Sequence, residues 1–383
     1  MNRRERLMAT LRGESVDRPA VCFYEINGLD ENPEDADPYN IYTHPSWRPV
    51  IHLARDYTDR IVMRSVPWRA PGPDPLAELT TIERWEQGSS RFERVTIRAG
   101  RRTLTALSRR DQDVNTVWQV EHLLKDADDL RAYLALPCAD PGGEPDPAPV
   151  LAAEAALGDS GIVMIDTPDP LCQAAALFHM QDYTVLATAE PGLFRALLER
   201  IAQTLLPRTE AVARALPGRL WRIYGPEYAS PPYLHPRLFH EYVTRYDTLM
   251  VQAIQRWGGY ARIHSHGNLR RILDEIAATG CDALDPIEPP PQGDVELGEV
   301  RARYGAQMVL FGNLEASDLE ILPTPQFEVK IWRAIEEGSH GPGRGFVLMP
   351  SSCPYGRVLP PLARANYEKM IEVIEQLGGE HFV

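Results

Sequence analysis

Residues 260–315 read YARIHSHGNLRRILDEIAATGCDALDPIEPPPQGDVELGEVRARYGAQMVLFGNLE. The stretch holds three short apolar runs, YARI, CDAL and MVLF, each leading into a polar exit and then a helix-length segment. Runs that stay apolar instead of alternating are strands covered on both faces. Strands that alternate with helices call for a mostly parallel sheet. Ionisable and polar residues gather where each run stops: His264 and His266, then Asp285 and Glu288, then Asn313 and Glu315.

The same unit recurs on both sides. RLWRIYG (219–225) precedes a helical stretch at 236–258, and RGFVLMPSS (344–352) precedes another at 362–378. Upstream, CFYEI (22–26), RIVMRSV (60–66) and GIVMIDTPDPL (161–171) read as three further strands. Three early and five late strands make eight, so the expected fold is an α/β (β/α)8 TIM barrel. It carries an N-terminal helix within residues 1–20 and a β-hairpin insertion at about 90–110, turning at Ala99-Gly100. Residues 1–383 are expected to form one domain. A doubly wound open sheet is the alternative, weakened by the absence of GxGxxG after a first strand. A loop is expected over the Pro-, Gly- and Asp-rich residues 137–149.

The 383 residues carry a net charge of −14, and 44% are hydrophobic, ample for a large core. An acidic surface argues against nucleic acid and anionic membranes as partners. No apolar run is long enough to span a bilayer, and the charged start MNRRERLMATLRGE lacks an apolar signal core. Five scattered cysteines with no CxxC pair suit reduced thiols and a cytoplasmic location.

In a parallel barrel, catalytic groups come from the C-terminal strand ends. Those positions give Asp166 with Asp169, Glu227 and Tyr228, His264 and His266, Asp285 and Glu288, Asn313, and Ser351 with Cys353. His264, His266 and Cys353 make a two-imidazole, one-thiolate set that suits a zinc ion with an open fourth position. Each residue also has an ordinary reading. Asp166 or Asp169 can cap the helix that follows, Asp285 can bind loop backbone, Glu288 can be a solvated charge, and Asn313 can be an N-cap. Arg222, inside a strand, is explained equally well by an ion pair. Glu227 beside Pro226 suits a buried, partnered carboxylate.

These residues, in this order, resemble the uroporphyrinogen decarboxylase superfamily, whose members include zinc-dependent, corrinoid-linked methyltransferases. The likeness runs from RERLMATLRGESVDRPAV to NYEKMIEVIEQLG and is strongest over 260–315. There, HSHG is similar to the family's His-x-Cys-Gly and GCDALDP to its G-x-D-x-x-x-P. The decarboxylases carry an Arg-bearing stretch after the first strand that binds the tetrapyrrole; CFYEINGLDENPED holds acids there and no arginine. The resemblance therefore implies the methyltransferase branch. His264 and Cys353 match that branch's zinc ligands, and His266 replaces a cysteine.

The function so implied is zinc-dependent transfer of a methyl group between a small substrate and a corrinoid (methylcobalamin) on a separate protein. Glu227, Asp285, Glu288 and Asn313 would be catalytic, and Asp166, Tyr228 and Ser351 would bind substrate. Glu227 could add a fourth ligand. The alternative is a metal-free decarboxylase or lyase on a smaller carboxylic acid, with the histidines as proton donors. Expected partners are the small methyl donor or acceptor, the corrinoid protein and a second copy in a homodimer. Residues 25–37, with six acids and no Lys or Arg, are expected to form a mobile lid over the mouth or one ordered by a cationic partner.

Overall fold

Eight parallel strands ring the centre of the computed structural model, which describes residues 1–138, 142–341 and 343–377. Numbered for the barrel alone, they are β1 (Ala20–Val21), β2 (Arg60–Arg64), β3 (Gly161–Pro168) and β4 (Leu220–Tyr224). The rest are β5 (Tyr260–Ser265), β6 (Ala283–Pro286), β7 (Val309–Leu314) and β8 (Phe346–Pro350). The sheet runs β1-β8-β7-β6-β5-β4-β3-β2, so each late strand lies beside its sequence neighbour.

Alternation along the strands sorts the core into two shells. Inward side chains such as Ile61, Met164, Leu220, Ala283, Phe311 and Val347 pack in one cluster, and Leu7 and Leu11 join them. The N-terminal helix Arg3–Arg12 thus plugs the barrel at its floor. Outward side chains such as Ile165, Trp221, Ile223, Ile263 and Leu310 pack with the surrounding helices in the other.

The ring is nearly closed, and β1 and β2 meet at a seam rather than a ladder. The Asp59 N–H donates to the Val21 carbonyl at 2.7 Å, and the Asp59 carboxylate accepts from the Val21 N–H at 2.9 Å. That fully buried carboxylate also pairs with Arg6 at 2.6 Å and Arg18 at 2.7 Å. One side chain thereby ties the seam to the N-terminal helix and to the turn before β1.

The expected hairpin is present as Ser90–Ala99 and Arg102–Asp111, turning through Gly100 at φ 64°. It forms the centre of a larger four-stranded antiparallel sheet with Thr80–Gln87 and Val117–Glu121 at its edges. The helical stretch at 236–258 contains a π-helical segment, His240–Thr244, before the α-helix Arg245–Arg256. The stretch NLRRILDEIAATG (268–280), which reads as a helix, is helical only over Leu273–Ala278; ahead of it the Arg270 N–H donates to Asp294 at 2.9 Å. Of the loop expected at 137–149, residues 139–141 lie outside the described residues; Glu144–Pro145 pairs with Trp68–Arg69. Among the described residues, no helix is long and apolar enough to cross a membrane.

Candidate functional site

Above the apolar layers, the inward positions turn polar. The register sets Arg222 of β4 beside Asp166 of β3, and His264 of β5 beside Asp285 of β6. Arg222 holds Asp166 with two parallel bonds, 2.6 and 3.0 Å, the bidentate geometry that suits a guanidinium. Its third nitrogen donates to the Tyr24 hydroxyl at 2.5 Å. That hydroxyl lies 3.4 Å from His264 Nε2, and His264 Nδ1 is 2.8 Å from Asp285 Oδ2. Asp285 Oδ1 faces Arg262 Nε at 3.0 Å, an ion pair whose angle does not make a hydrogen bond. Six side chains, Asp166, Arg222, Tyr24, His264, Asp285 and Arg262, therefore run in contact across the barrel. Burial pushes the Asp285 carboxyl up, but Arg262 and His264 outweigh it and hold it at about 2. Asp285 is thus an ionised carboxylate at the barrel centre, not a ligand of loop backbone.

A second histidine–carboxylate pair lies alongside. His266 Nδ1 is 2.8 Å from Glu288 Oε1, and Glu288 Oε2 accepts from the Gly267 N–H at 2.8 Å. The His264 and His266 rings meet edge to face with centroids 4.6 Å apart. Their side chains differ in access: His264 is 6% exposed and His266 36%. Burial lowers the His266 pKa, but its bond to Glu288 and the charges of Glu288, Glu227 and Asp285 raise it further, so the net shift is upward. Glu288 moves the other way: burial raises it and His266 pulls it below its usual value. The pair favours an imidazolium on a carboxylate, facing the mouth. Glu288 is 8% exposed and bonded, so it is not the solvated loop charge of the bland reading.

Zinc asks more of the site. With each Nδ1 directed at a carboxylate, the Nε2 atoms point away from those carboxylates, an orientation common to zinc-bound histidines, although that of His264 meets the Tyr24 hydroxyl at 3.4 Å. The third donor is elsewhere: Cys353 Sγ contacts Glu25 Oε2 at 3.3 Å. Burial, then the Glu25 and Glu31 carboxylates, push its thiol well above the usual range, and a metal ion would have to pull it down to form a thiolate. Among the described residues, no group of three or more His, Cys, Asp or Glu side chains is arranged to hold a metal. The set of His264, His266 and Cys353 expected from the sequence is thus not gathered here; the histidines converge and the cysteine sits against the acidic segment.

That segment does lie at the mouth, through Glu25 on Cys353 and Tyr24 near His264. Three of its six acids pair with arginines of the chain. Arg64 grips Asp30 at 2.6 Å, Arg48 meets Glu34 at 3.1 Å, and Arg91 meets Asp37 at 3.1 Å. The buried Glu31 accepts the Asn27 and Gly28 N–H groups at 3.0 and 2.7 Å. The cations that order the lid are the protein's own arginines.

The remaining candidates serve the scaffold in part. Ser351 Oγ accepts the Ala316 N–H at 3.0 Å and holds the start of the helix Ala316–Ile321. Tyr228 gives its carbonyl to the Tyr183 hydroxyl at 2.9 Å. Asn313 is buried at the end of β7 and lines a cavity of about 90 Å³ with Glu315 and Arg333. Glu227 accepts the Gly225 N–H at 3.0 Å and is close enough to His266 to raise it. Gly225, at φ 127°, has to be glycine, because a Cβ there would sit 2.3 Å from Asp169 Oδ1.

Behind Glu227 stand two carboxylates of which sequence reasoning found only one. Asp169 caps the helix Pro170–Ala175 through the Cys172 N–H at 2.5 Å, as its ordinary reading expects. Asp247 is fully buried and neither of its oxygens has a partner among the described residues. Burial pushes both well above the usual range; Asp247 adds to the shift of Asp169, and Glu227 to both. Tyr24 and Arg262 were also missed, although both share the inward parity of their strands. That parity was the signal that could have found them.

Comparison with known proteins fits this geometry. The family model for uroporphyrinogen decarboxylase (URO-D) matches residues 170–377, more than half of the chain. A methyltransferase from Methanosarcina mazei superposes with a TM-score of 0.61 at 16% identity, covering 98% of this chain and 99% of that one. At that identity the likeness is one of fold. A protein described as a fructose-1,6-biphosphate aldolase from Coccidioides immitis aligns at a TM-score of 0.29 and 12% identity over 61% of this chain and 78% of that one. No curated protein matches the chain.

Proposed function

Because the chain belongs to the uroporphyrinogen decarboxylase family, we propose that it is an enzyme of the methyltransferase type, with His266 as its general acid. The observation that carries this is the His266–Glu288 pair: a half-buried imidazole with a raised pKa, 2.8 Å from its carboxylate and open to the mouth. A methyl group bound to oxygen or nitrogen leaves only if the atom it leaves behind is neutralised. His266 would give its Nε2 proton to that atom as the methyl passes to a reduced corrinoid carried by a separate protein. Solvent would then reprotonate the imidazole. His264, Tyr24 and the Arg222–Asp166 pair would form the rigid wall against which the substrate is oriented. The likeness to the Methanosarcina mazei methyltransferase along nearly the whole chain supports the reading.

Zinc would have to draw Cys353 away from Glu25 and ionise it, so no step is routed through the metal. Metal analysis of purified protein tests this. We expect well under one zinc per chain, and stoichiometric zinc lost in Cys353→Ala would reinstate the metal. For the acid itself, His266→Gln should lower kcat for demethylation of O- or N-methyl substrates by about 10²–10⁴-fold. Unchanged turnover would rule out the role. The second reading, a metal-free decarboxylase or lyase on a small acid, is favoured by the two guanidiniums of Arg222 and Arg262 in the same layer. Release of CO₂ from a candidate acid, without any corrinoid, would decide for it.

A further inference from the structure

Beside the mouth, the long helix Pro191–Ala215 borders cavities whose helix-side residues the reaction above does not use. One, of about 200 Å³, reaches from Ser65 and Thr167 at the strand exits to Arg208 and Thr209 on the helix. A second, of about 220 Å³, continues past Leu205 to Tyr133 and Gln173. Arg208 lines both.

Arg208 differs from the chain's other half-buried arginines. Its Nε is shut off from water and has no hydrogen-bond partner. None of its nitrogens meets a carboxylate or carbonyl among the described residues; its one recorded contact is the Trp68 ring, 5.1 Å away. On the same helix Arg200 is spent on the carbonyls of Leu134, Leu136 and Pro137. A buried donor left without an acceptor costs about 1–3 kcal/mol. Exposed arginines such as Arg101, Arg214 and Arg271 also meet no acid among the described residues, but Arg208 is half-buried with a shielded Nε.

We propose that this groove binds the carboxylate of a small organic acid, with Arg208 as its anchor. The planar guanidinium fork matches a carboxylate with two parallel bonds. Phosphate would want more donors than one arginine and two threonines supply. Asp166 also lines the cavity, but its carboxylate is already held by both bonds from Arg222; Val66, Leu205, Val212 and Trp221 give the cavity apolar walls that suit a hydrocarbon or aromatic body. The cavity shares Asp166 with the wall proposed above to orient substrate, but its anchor Arg208 stands on the helix Pro191–Ala215, and the site stands whether or not methyl transfer is the reaction.

The test is calorimetric titration of the full-length protein with sodium benzoate, and in parallel with sodium phosphate, at constant ionic strength. Saturable benzoate binding that weakens at least tenfold in Arg208→Gln, and is unchanged in the surface control Arg214→Gln, is the expected result. Leu205→Trp, which fills the groove without touching the cation, should weaken benzoate likewise and covers the case that Arg208→Gln fails to fold. No saturable benzoate binding, binding indifferent to both changes, or binding of phosphate in preference to benzoate overturns the proposal.

Discussion

His266 owes its charge to Glu288, and the two can be separated by pH. Acid catalysis needs the imidazolium, so activity should be full below the His266 pKa and fall as pH rises through it. With the net shift upward from an ordinary value of about 6.5, the alkaline limb should lie above that value. Glu288→Gln removes the charge that holds the proton while leaving burial in place. The limb should move to lower pH, and kcat should fall more than KM rises; a pH–rate profile with the limb unmoved would mean that another group titrates. Asp247 offers the converse sign. Its folded-state pKa is raised, so it remains protonated where the unfolded chain has ionised. That difference erodes stability as pH climbs above about 3.9, the unfolded carboxyl value, towards the folded pKa. Asp247→Asn cannot ionise and keeps the shape. We expect its Tm to exceed that of the parent, by more at pH 8 than at pH 5, and an equal gain at both would show that the carboxyl is not the cause.

At the scale of elements, the late strands were legible because each is a short, mostly apolar run with polar residues at its exit, as a doubly covered strand is; only Arg222 and Arg262 interrupt them within β4 and β5. The polar layer was legible for the same reason: Asp166, His264 and Asp285 stand at inward positions where an apolar run gives way. What the sequence hid lies between elements. His264 lies within β5, where strand parity aims it inward, whereas Cys353 lies past the end of β8 in a loop, which has no period, and is turned onto Glu25. Asp247 stands on the apolar stripe of its helix with Val243, Met250 and Ile254, and an acid on such a stripe is a signal that helical spacing could have exposed. The seam at Asp59 was hidden too, because β1 is only two residues long. Asp59→Ala leaves Arg6 and Arg18 without their shared acceptor and opens the β1–β2 junction. Loss of a buried ion-pair partner costs about 3–5 kcal/mol, read as a fall in the urea midpoint at constant m. A midpoint shifted by under about 1 kcal/mol would show that the seam is held by the helix plug instead.

For the whole molecule, charge decides what can approach. The chain carries −14, and the mouth concentrates acids: Glu25 and Glu31 from the segment after β1, Asp285 and Glu288 from β6 and its exit. The cations there are already committed, Arg222 to Asp166, Arg262 to Asp285 and Arg64 to Asp30. A substrate bearing a ring of carboxylates would have to break those pairs or meet the acids unshielded, in a barrel layer where screening by salt is weak. The tetrapyrrole that names the family is such a substrate, and its binding elsewhere in the family relies on arginines that this chain lacks after its first strand. Arg208, which meets no acid among the described residues, lies outside the barrel wall and could hold one carboxylate, not many. Purified protein given uroporphyrinogen at neutral pH should therefore release no CO₂ above the buffer control. Because surface repulsion is screened within about 8 Å at physiological salt, raising ionic strength should not rescue turnover if the obstacle is the buried mouth. Turnover that appears only at high salt would place the obstacle on the outer surface, and robust turnover at low salt would show that the pairs at the mouth open for a polyanion.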